Sequence, residues 1–552
     1  MEYKELVKLY NNLESTTKNL KKRDFVSEFL KKAKTKELDI LIPLILGNVY
    51  PKGKKDLGVA SKTLKKVIIK STGASKKEFE KVFKKTGDMG ETAEKLVKAK
   101  TQQQLGKKKL KAKDVYKSLR KLPDIEGKGS ESRKMSVLSG LISHATDKQA
   151  KYITRTALEK MRTGVGEGTV RDAIAKAFDK DKKKVEEVFN YIADYGKVAR
   201  KAKKGELDKV SIEIGSPLKV MLARKSESLK EALGKFDNVA IETKYDGFRC
   251  AIHKDKDNIT IFSRRLEDVT KQFPDLVELA KNGLSAKSCI VEGEVLAIHE
   301  DTERPMSFQK LSQRIQRKYD IEKMTEKIPI QMNLFDLVYY NGKNYMKKSL
   351  KERWKTLKKI VTESKNKFQL AQHIETKDKA KAKDFYKKAL KAGQEGVIVK
   401  NLDAKYQPGK RVGYWLKVKP TMEPLDLVVV GAEWGEGKRA GWLSSYKLAA
   451  RKGDDLIVVG KMASGFTEDQ LDEMTKRLKK LVEDETGNTV KLKPKVVIEV
   501  NYEEIQKSPN YEGGYALRFP RLNRIRDDKS VADADTMKRI KRLYKQQRGR
   551  SS

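Results

Sequence analysis

The period of the apolar residues changes twice along this 552-residue chain, and each change marks a place where one kind of core must give way to another. Over residues 1–205 apolar side chains recur at three- and four-residue spacing, as in 76–85 and 169–178, which predicts amphipathic helices almost throughout. Glycine-marked breaks at 87–90, 127–130 and 164–168 separate them. From about Ser211 short β-branched runs appear at 239–243, 259–263, 289–298, 328–339 and 396–400, alternating with helical stretches at 348–362 and 377–392. That alternation predicts a mixed α+β unit. After Pro420 strands dominate, at 425–433, 443–450, 456–461 and 495–500, and glycine-rich turns such as 435–441 suit a small β-barrel. A basic amphipathic helix is predicted over 536–547. The expected organisation is all-α over 1–208, α+β over 209–420 and β-barrel over 421–552, with no internal repeat.

Charge narrows the choice of partner. Lys and Arg number 123 against 77 Asp and Glu, a formal excess of +46. Such an excess attracts polyanions, phosphate backbones above all, although a lysine-rich proteome with no special partner gives the same count. Lysines 107, 108, 109, 111 and 113 crowd one stretch of the helical half. Cys250 and Cys289 are too few for a disulfide framework or a four-cysteine zinc site, which argues for a reducing compartment. The longest apolar run, 38–46, contains Asp39 and Pro43 and is far short of a bilayer span, and residues 1–10 hold no secretory core. A soluble, cytoplasmic, nucleoid-associated protein with no membrane partner is expected.

Several chemistries are missing. The chain has no G-x-x-x-x-G-K-[ST] loop, no G-x-G-x-x-G after a strand, no serine-nucleophile elbow and no histidine cluster. The remaining candidate is Ile241-Glu242-Thr243-Lys244-Tyr245-Asp246-Gly247-Phe248-Arg249, in which Asp-Gly predicts a tight turn between two strands and strand alternation puts Glu242 and Lys244 on one face. A lysine at a strand end is a covalent nucleophile when its amine is neutral, and bringing an ordinary lysine to neutrality near pH 7 takes about 4 kcal/mol. Neighbouring cations supply that kind of bias, and Lys417 and Lys419 share a face in Trp415-Leu416-Lys417-Val418-Lys419. Taken alone, K-x-D-G is a weak signal, more often an ordinary hairpin with an exposed lysine.

Other pieces follow in a fixed order: Phe262-Ser263-Arg264, Glu292-Gly293-Glu294, Leu334-Phe335-Asp336-Leu337, Glu395-Gly396-Val397-Ile398-Val399-Lys400, the Trp415–Lys419 run, and Arg518-Phe519-Pro520-Arg521 leading to Arg526-Asp527-Asp528-Lys529. This ordered set resembles the covalent nucleotidyltransferase superfamily, and within it the ATP-dependent DNA ligases of the archaeal and eukaryotic replicative kind. The resemblance covers nearly the whole chain. Gly87-Asp88-Met89-Gly90-Glu91 and Arg162-Thr163-Gly164-Val165-Gly166 resemble that family's helical DNA-binding domain, and Glu503-Glu504-Ile505-Gln506-Lys507-Ser508 its barrel domain.

The resemblance implies an all-α DNA-binding domain, an α+β adenylation (nucleotidyltransferase) domain and an OB-fold domain, acting together as an enzyme that seals nicks in double-stranded DNA during replication, recombination and repair. It implies that Lys244 takes AMP from ATP onto its amine. Glu242 would meet the adenine edge and Phe335 would stack on the base, while Arg249 and Arg264 would hold ribose and phosphate. Glu294 would contact the ribose and help hold a metal, and Glu395 would coordinate Mg²⁺, for which a hard carboxylate is suited. Arg411 and Lys417, with Lys419 in support, would neutralise phosphates, and Arg526 and Lys529 would orient the leaving pyrophosphate. The implied partner is nicked duplex DNA bound by a monomer.

The chain departs from the family pattern at two places. Where many archaeal relatives carry a sliding-clamp peptide with paired aromatics, Gln102-Gln103-Gln104-Leu105-Gly106-Lys107 has none, so a sliding clamp as partner lacks its anchor here. Val220 stands where a proline often precedes Met-Leu-Ala. Within the superfamily, an RNA ligase or GTP-using capping enzyme would not need the long helical half, and an NAD-dependent ligase would carry zinc-finger cysteines. A DNA-bridging protein with a dead adenylation fold would need charge and shape but not every catalytic position.

Overall fold

Side-chain caps start many of the N-terminal helices. In this computed structural model Ser75 accepts from the Glu78 amide, Asp88 from Glu91, Thr146 from Gln149 in a reciprocal box, and Asp194 from Gly196 and Lys197. The described residues are 1–50, 57–100, 109–299, 301–306, 308–315, 317, 320–420, 422–435, 439 and 441–547. Lys107, Lys108, the 102–107 stretch and part of the 435–441 turn lie outside them. Helices run from Tyr3–Glu14 to Tyr195–Lys203, and their apolar faces meet in one core that includes Tyr3, Tyr10, Leu41, Ile42 and Ile153. The two glycine motifs of this region come together. Asp88 takes hydrogen bonds or ion pairs from buried Arg155 at 3.1 Å and from Arg162 at 3.0 Å, and a Cβ on Gly90 would collide with the Lys151 carbonyl and the Arg155 side chain.

The chain divides into two compact units, Met1–Lys377 with Ile398–Leu416, and Asp378–Val397 with Lys417–Ser552. Beyond its helices, the first unit holds two sheets. Asn258–Ser263, Phe248–Asp255, Ser288–Ala297, Ile330–Tyr340 and Lys343–Asn344 form one antiparallel sheet in that order, with Phe368–Leu370 added parallel to Ile330–Tyr340. Val239–Lys244 belongs to the other sheet, where it pairs antiparallel with His373–Glu375 and has Gly396–Asn401 on its opposite side. The helix Leu350–Ile360, started by a Ser349–Glu352 capping box, is tied to the first sheet by a buried charge pair. Arg353 donates to both carboxylate oxygens of Asp336, at 2.6 and 2.9 Å, and to the carbonyls of Lys348 and Ala404 at 2.8 and 3.1 Å.

In the second unit six strands form a curled sheet of order Asp455–Met462, Leu443–Lys452, Leu425–Trp434, Thr489–Asn501 and Val482–Thr486, with Arg521–Ile525 also on Thr489–Asn501. Register breaks between Val429 and Gly431 in both pairings of Leu425–Trp434 bend that strand. The helix Glu468–Lys479, capped by Thr467, covers the sheet and was not anticipated from the apolar spacing. The terminal helix Met537–Gln546 lies where expected, and Met537, Ile540 and Leu543 enter the same core as Leu427, Tyr446 and Ile498.

Because Arg353 and Asp336 are both fully buried, losing one partner leaves an uncompensated charge in the core. Arg353→Ala should cost about 3–5 kcal/mol of stability, read as a lower midpoint in urea denaturation, and Arg353→Met combined with Asp336→Leu should recover most of it.

Candidate active site

Asp246-Gly247 does not turn a hairpin, contrary to the reading of the sequence. The strands on either side belong to different sheets, so residues 245–247 carry the chain from one sheet to the other. The reason lies in packing. A Cβ on Gly247 would collide with the Val295 carbonyl oxygen and the Leu296 side chain, so the crossing presses directly on Ser288–Ala297, and only glycine lets it. The other side is pinned as well. The Gln372 amide donates to the Tyr245 hydroxyl at 2.9 Å, and the Thr243 amide donates to the Gln372 carbonyl at 2.9 Å. Lys244 is half-buried at the end of its strand, at this sheet-to-sheet step.

Two residues earlier, Glu242 is 2% exposed and faces Lys400 from the neighbouring strand, whose Nζ lies 2.6 Å from its Oε2. Lys400 is fully buried, its amine 4.7 Å from the Phe335 ring centre, 4.5 Å from Trp415 and 5.5 Å from Trp354. Burial pushes the Glu242 carboxyl up to about 7, against the opposing pull of Lys400. Burial likewise lowers the Lys400 amine, with Glu242 working the other way. Phe335 is itself buried, edge-on to Trp415 at 6.0 Å.

Arg249 is held rigidly. It donates to the Met221 carbonyl and to Glu292, both at 2.8 Å, and its guanidinium lies 5.1 Å from the Phe335 ring centre. Glu292 is wholly buried and also accepts from the Tyr406 hydroxyl at 2.8 Å. Burial is the largest influence and works against the Arg249 charge, but Glu292, Tyr406 and Glu294 together outweigh it and raise the pKa. Next to it the chain presents cations of another kind. Arg264, whose amide donates to the Arg249 carbonyl at 3.2 Å, and Arg411 are both exposed, and no carboxylate pairs with either among the described residues. Desolvation and the charges of Arg249 and Arg411 lower the Arg264 pKa, against a smaller opposing pull from Glu294. Glu294 stands half-buried, in register with Arg249 on the adjoining strand.

Lys417, Lys419 and Glu395 belong to the second unit. There Lys419 pairs with Glu395 at 2.6 Å and with Glu503 at 3.8 Å. Gly396, at φ +141°, brings its backbone against the Val418 carbonyl, where a Cβ would collide. Arg526 is engaged by Asp528 at 2.7 Å, Asp426 at 3.0 Å and Glu499 at 3.4 Å, and Lys529 by Asp426 at 2.6 Å. The sequence reading assigned no role to Lys400, Glu292 or Asp426. Each carried a signal, since each is a charge set among the apolar residues of a predicted strand, where burial demands a partner.

Three family models match the chain: "DNA ligase N terminus" over residues 2–175, "ATP dependent DNA ligase domain" over 220–419 and "ATP dependent DNA ligase C terminal region" over 439–529. A DNA ligase of Nanoarchaeum equitans is 45% identical, covering 100% of this chain and 99% of its own length. A DNA ligase of Thermococcus onnurineus is also 45% identical, covering 99% and 98%. Among solved structures, "Pmar-Lig_PreS3" shares the fold with a TM-score of 0.61 at 18% identity, covering 94% of this chain and 99% of its own.

Gly247→Ala should displace the sheet-to-sheet crossing and slow covalent uptake of label from α-labelled ATP by about 100-fold, measured as the rate of label transfer to the protein.

Proposed function

The chain belongs to the ATP-dependent DNA ligases, and from that premise we propose how its own residues divide the reaction. The Lys244 nitrogen attacks the α-phosphorus of ATP, forming a P–N bond as the bond to the β-phosphate oxygen breaks and pyrophosphate leaves. An oxygen of the 5′-phosphate at a nick then attacks the same phosphorus, and AMP passes from the lysine to the DNA. Finally the 3′-hydroxyl, losing its proton, attacks the 5′-phosphate and releases AMP. All three are in-line displacements at phosphorus, so position and positive charge supply most of the acceleration.

The observation that carries this reading is the company Lys244 keeps within the first unit. It shares a strand with buried Glu242, while the exposed cations Arg264 and Arg411 form no ion pair with a carboxylate among the described residues. Glu242 is the contact for the adenine edge and Phe335 the stacking surface. Arg249, fixed by Glu292, orients the ribose side, and Arg264, Arg411 and Lys417 neutralise phosphates.

Glu294 and Glu395 are the carboxylates proposed to face Mg²⁺. Among the described residues no group of three or more His, Cys, Asp or Glu could hold a metal, which fits an ion that takes one or two protein carboxylates and the rest of its shell from phosphates and water. When bound, such an ion neutralises phosphate charge.

In the second unit Asp426 holds both Arg526 and Lys529, and we assign it the task of fixing those two cations for the departing pyrophosphate. The DNA partner is a nicked duplex held mostly through phosphates, by a monomer whose C-terminal domain is of the OB type. The +46 excess makes that binding independent of sequence and sensitive to salt. No described helix is long and apolar enough to cross a membrane.

Lys244→Ala should take up no label from α-labelled ATP while still binding nicked duplex, with an affinity that falls linearly in log salt. Equal labelling of wild type and variant would remove the assignment. Asp426→Asn should slow nucleotide attachment by about tenfold and leave sealing of a pre-adenylated nick nearly unchanged, because the pyrophosphate-side cations act only in the first step.

A further inference from the structure

Lys400 is a buried lysine that the scheme above does not use. Its amine is shut away from solvent, hydrogen-bonded to Glu242 Oε2 at 2.6 Å and surrounded by the rings of Phe335, Trp415 and Trp354. A buried ion pair of this kind is poor at stabilising a fold, and apolar replacements of similar volume often do as well or better. Its value must then lie in what it does to Glu242. Lys400 engages one carboxylate oxygen, and Oε1 accepts no hydrogen bond from any described residue. An ionised carboxylate is an acceptor only, so the remaining oxygen suits an exocyclic amine and repels a carbonyl. Once protonated, the same group could donate to a 6-oxo purine.

We propose that Lys400 is a positioning residue for base selection, holding Glu242 ionised and turned so that its second oxygen accepts from the 6-amino group of a purine and rejects 6-oxo purines. This rests on the reading of Glu242 as the adenine contact. The surroundings are balanced for it. Lys400 and Arg249 favour the carboxylate and Asp336 opposes it, with Arg353 neutralising Asp336 and His373 opposite Glu242 in the strand register. Burial leaves the group at about 7, so removing the Lys400 charge lets it hold its proton to higher pH.

The test uses the full chain, α-labelled ATP and α-labelled inosine triphosphate as the 6-oxo probe, and label attachment from pH 6 to 9. Lys400→Met is expected to raise the ATP concentration for half-maximal labelling by about tenfold with a smaller change in maximal rate. It should narrow the ATP-over-inosine preference by a similar factor and move the acid limb of ATP saturation upward in pH. An unchanged preference and limb, or an equal loss for both nucleotides, overturns the proposal. Should Lys400→Met not fold, the double variant Lys400→Met/Glu242→Gln leaves no buried unpaired charge and is expected to lose the preference, while Lys400→Arg keeps it. A double variant that still prefers ATP overturns the proposal. Glu242→Gln alone separates the two claims. If it retains the ATP preference, Glu242 is not the base contact; if it loses the preference while Lys400→Met does not, only the role of Lys400 falls.

Discussion

Gly247 resting on the Val295 carbonyl is the contact on which the candidate site depends. Lys244, the proposed nucleophile, ends a strand of one sheet, and four residues later the chain has joined another. Only a residue without a side chain lets the backbone come that close, and the approach fixes where Lys244 stops. A hairpin would have kept both strands in one sheet and left the lysine on a flat face. The crossing instead brings Glu242 and Lys244 of one sheet to the edge of the sheet that carries Arg249, Glu294 and Phe335. Preorganisation of this sort costs nothing at the moment of reaction, because the positions are set when the chain folds.

Charge is handled in two ways around that crossing. The buried charges come in pairs: Glu242 with Lys400, Glu292 with Arg249, and Asp336 with Arg353. Each pair satisfies the cost of desolvation internally and locks the geometry of a strand or side chain. The exposed cations Arg264 and Arg411 form no ion pair with a carboxylate among the described residues, and the Arg411 charge bears against that of Arg264. On the proposed assignment, a site arranged this way would be rigid where the base is read and cationic where the phosphates sit. Binding a polyphosphate then relieves repulsion that the free protein carries, which favours the charged ligand without any movement of the frame.

Much of this was legible in the amino-acid order. The switch from helical to strand periodicity near Ser211, the strands at 289–298 and 328–339, and the terminal helix at 536–547 all correspond to elements within a few residues. What misled was local chemistry read without its tertiary setting. Asp-Gly is a strong hairpin signal, but here the glycine is required by close approach to a third strand, and nothing in a local window reveals that. The helix Glu468–Lys479 was passed over because its apolar residues, Leu471, Met474 and Leu478, are few among charges. Lys400 differs in kind. A lysine after Val-Ile-Val signals a charge in need of a partner, and only the neighbouring strand shows that the partner is a carboxylate.

The second unit repeats the logic with a different outcome. Leu425–Trp434 is a mostly apolar strand with two acids, of which Asp426 gathers Arg526 and Lys529. Asp528 and Glu499 add to the hold on Arg526, so its charge is reinforced rather than left wanting. A guanidinium so heavily satisfied gains little from binding a static anion, since it must give up contacts already made. It is better suited to an anion that is present only while a bond is breaking. Arg264 and Arg411, which form no ion pair with a carboxylate among the described residues, have less to give up, in keeping with the nucleotide contact proposed for them. On the proposed assignment the same residue type would serve two tasks, and the number of carboxylates around each guanidinium would decide which.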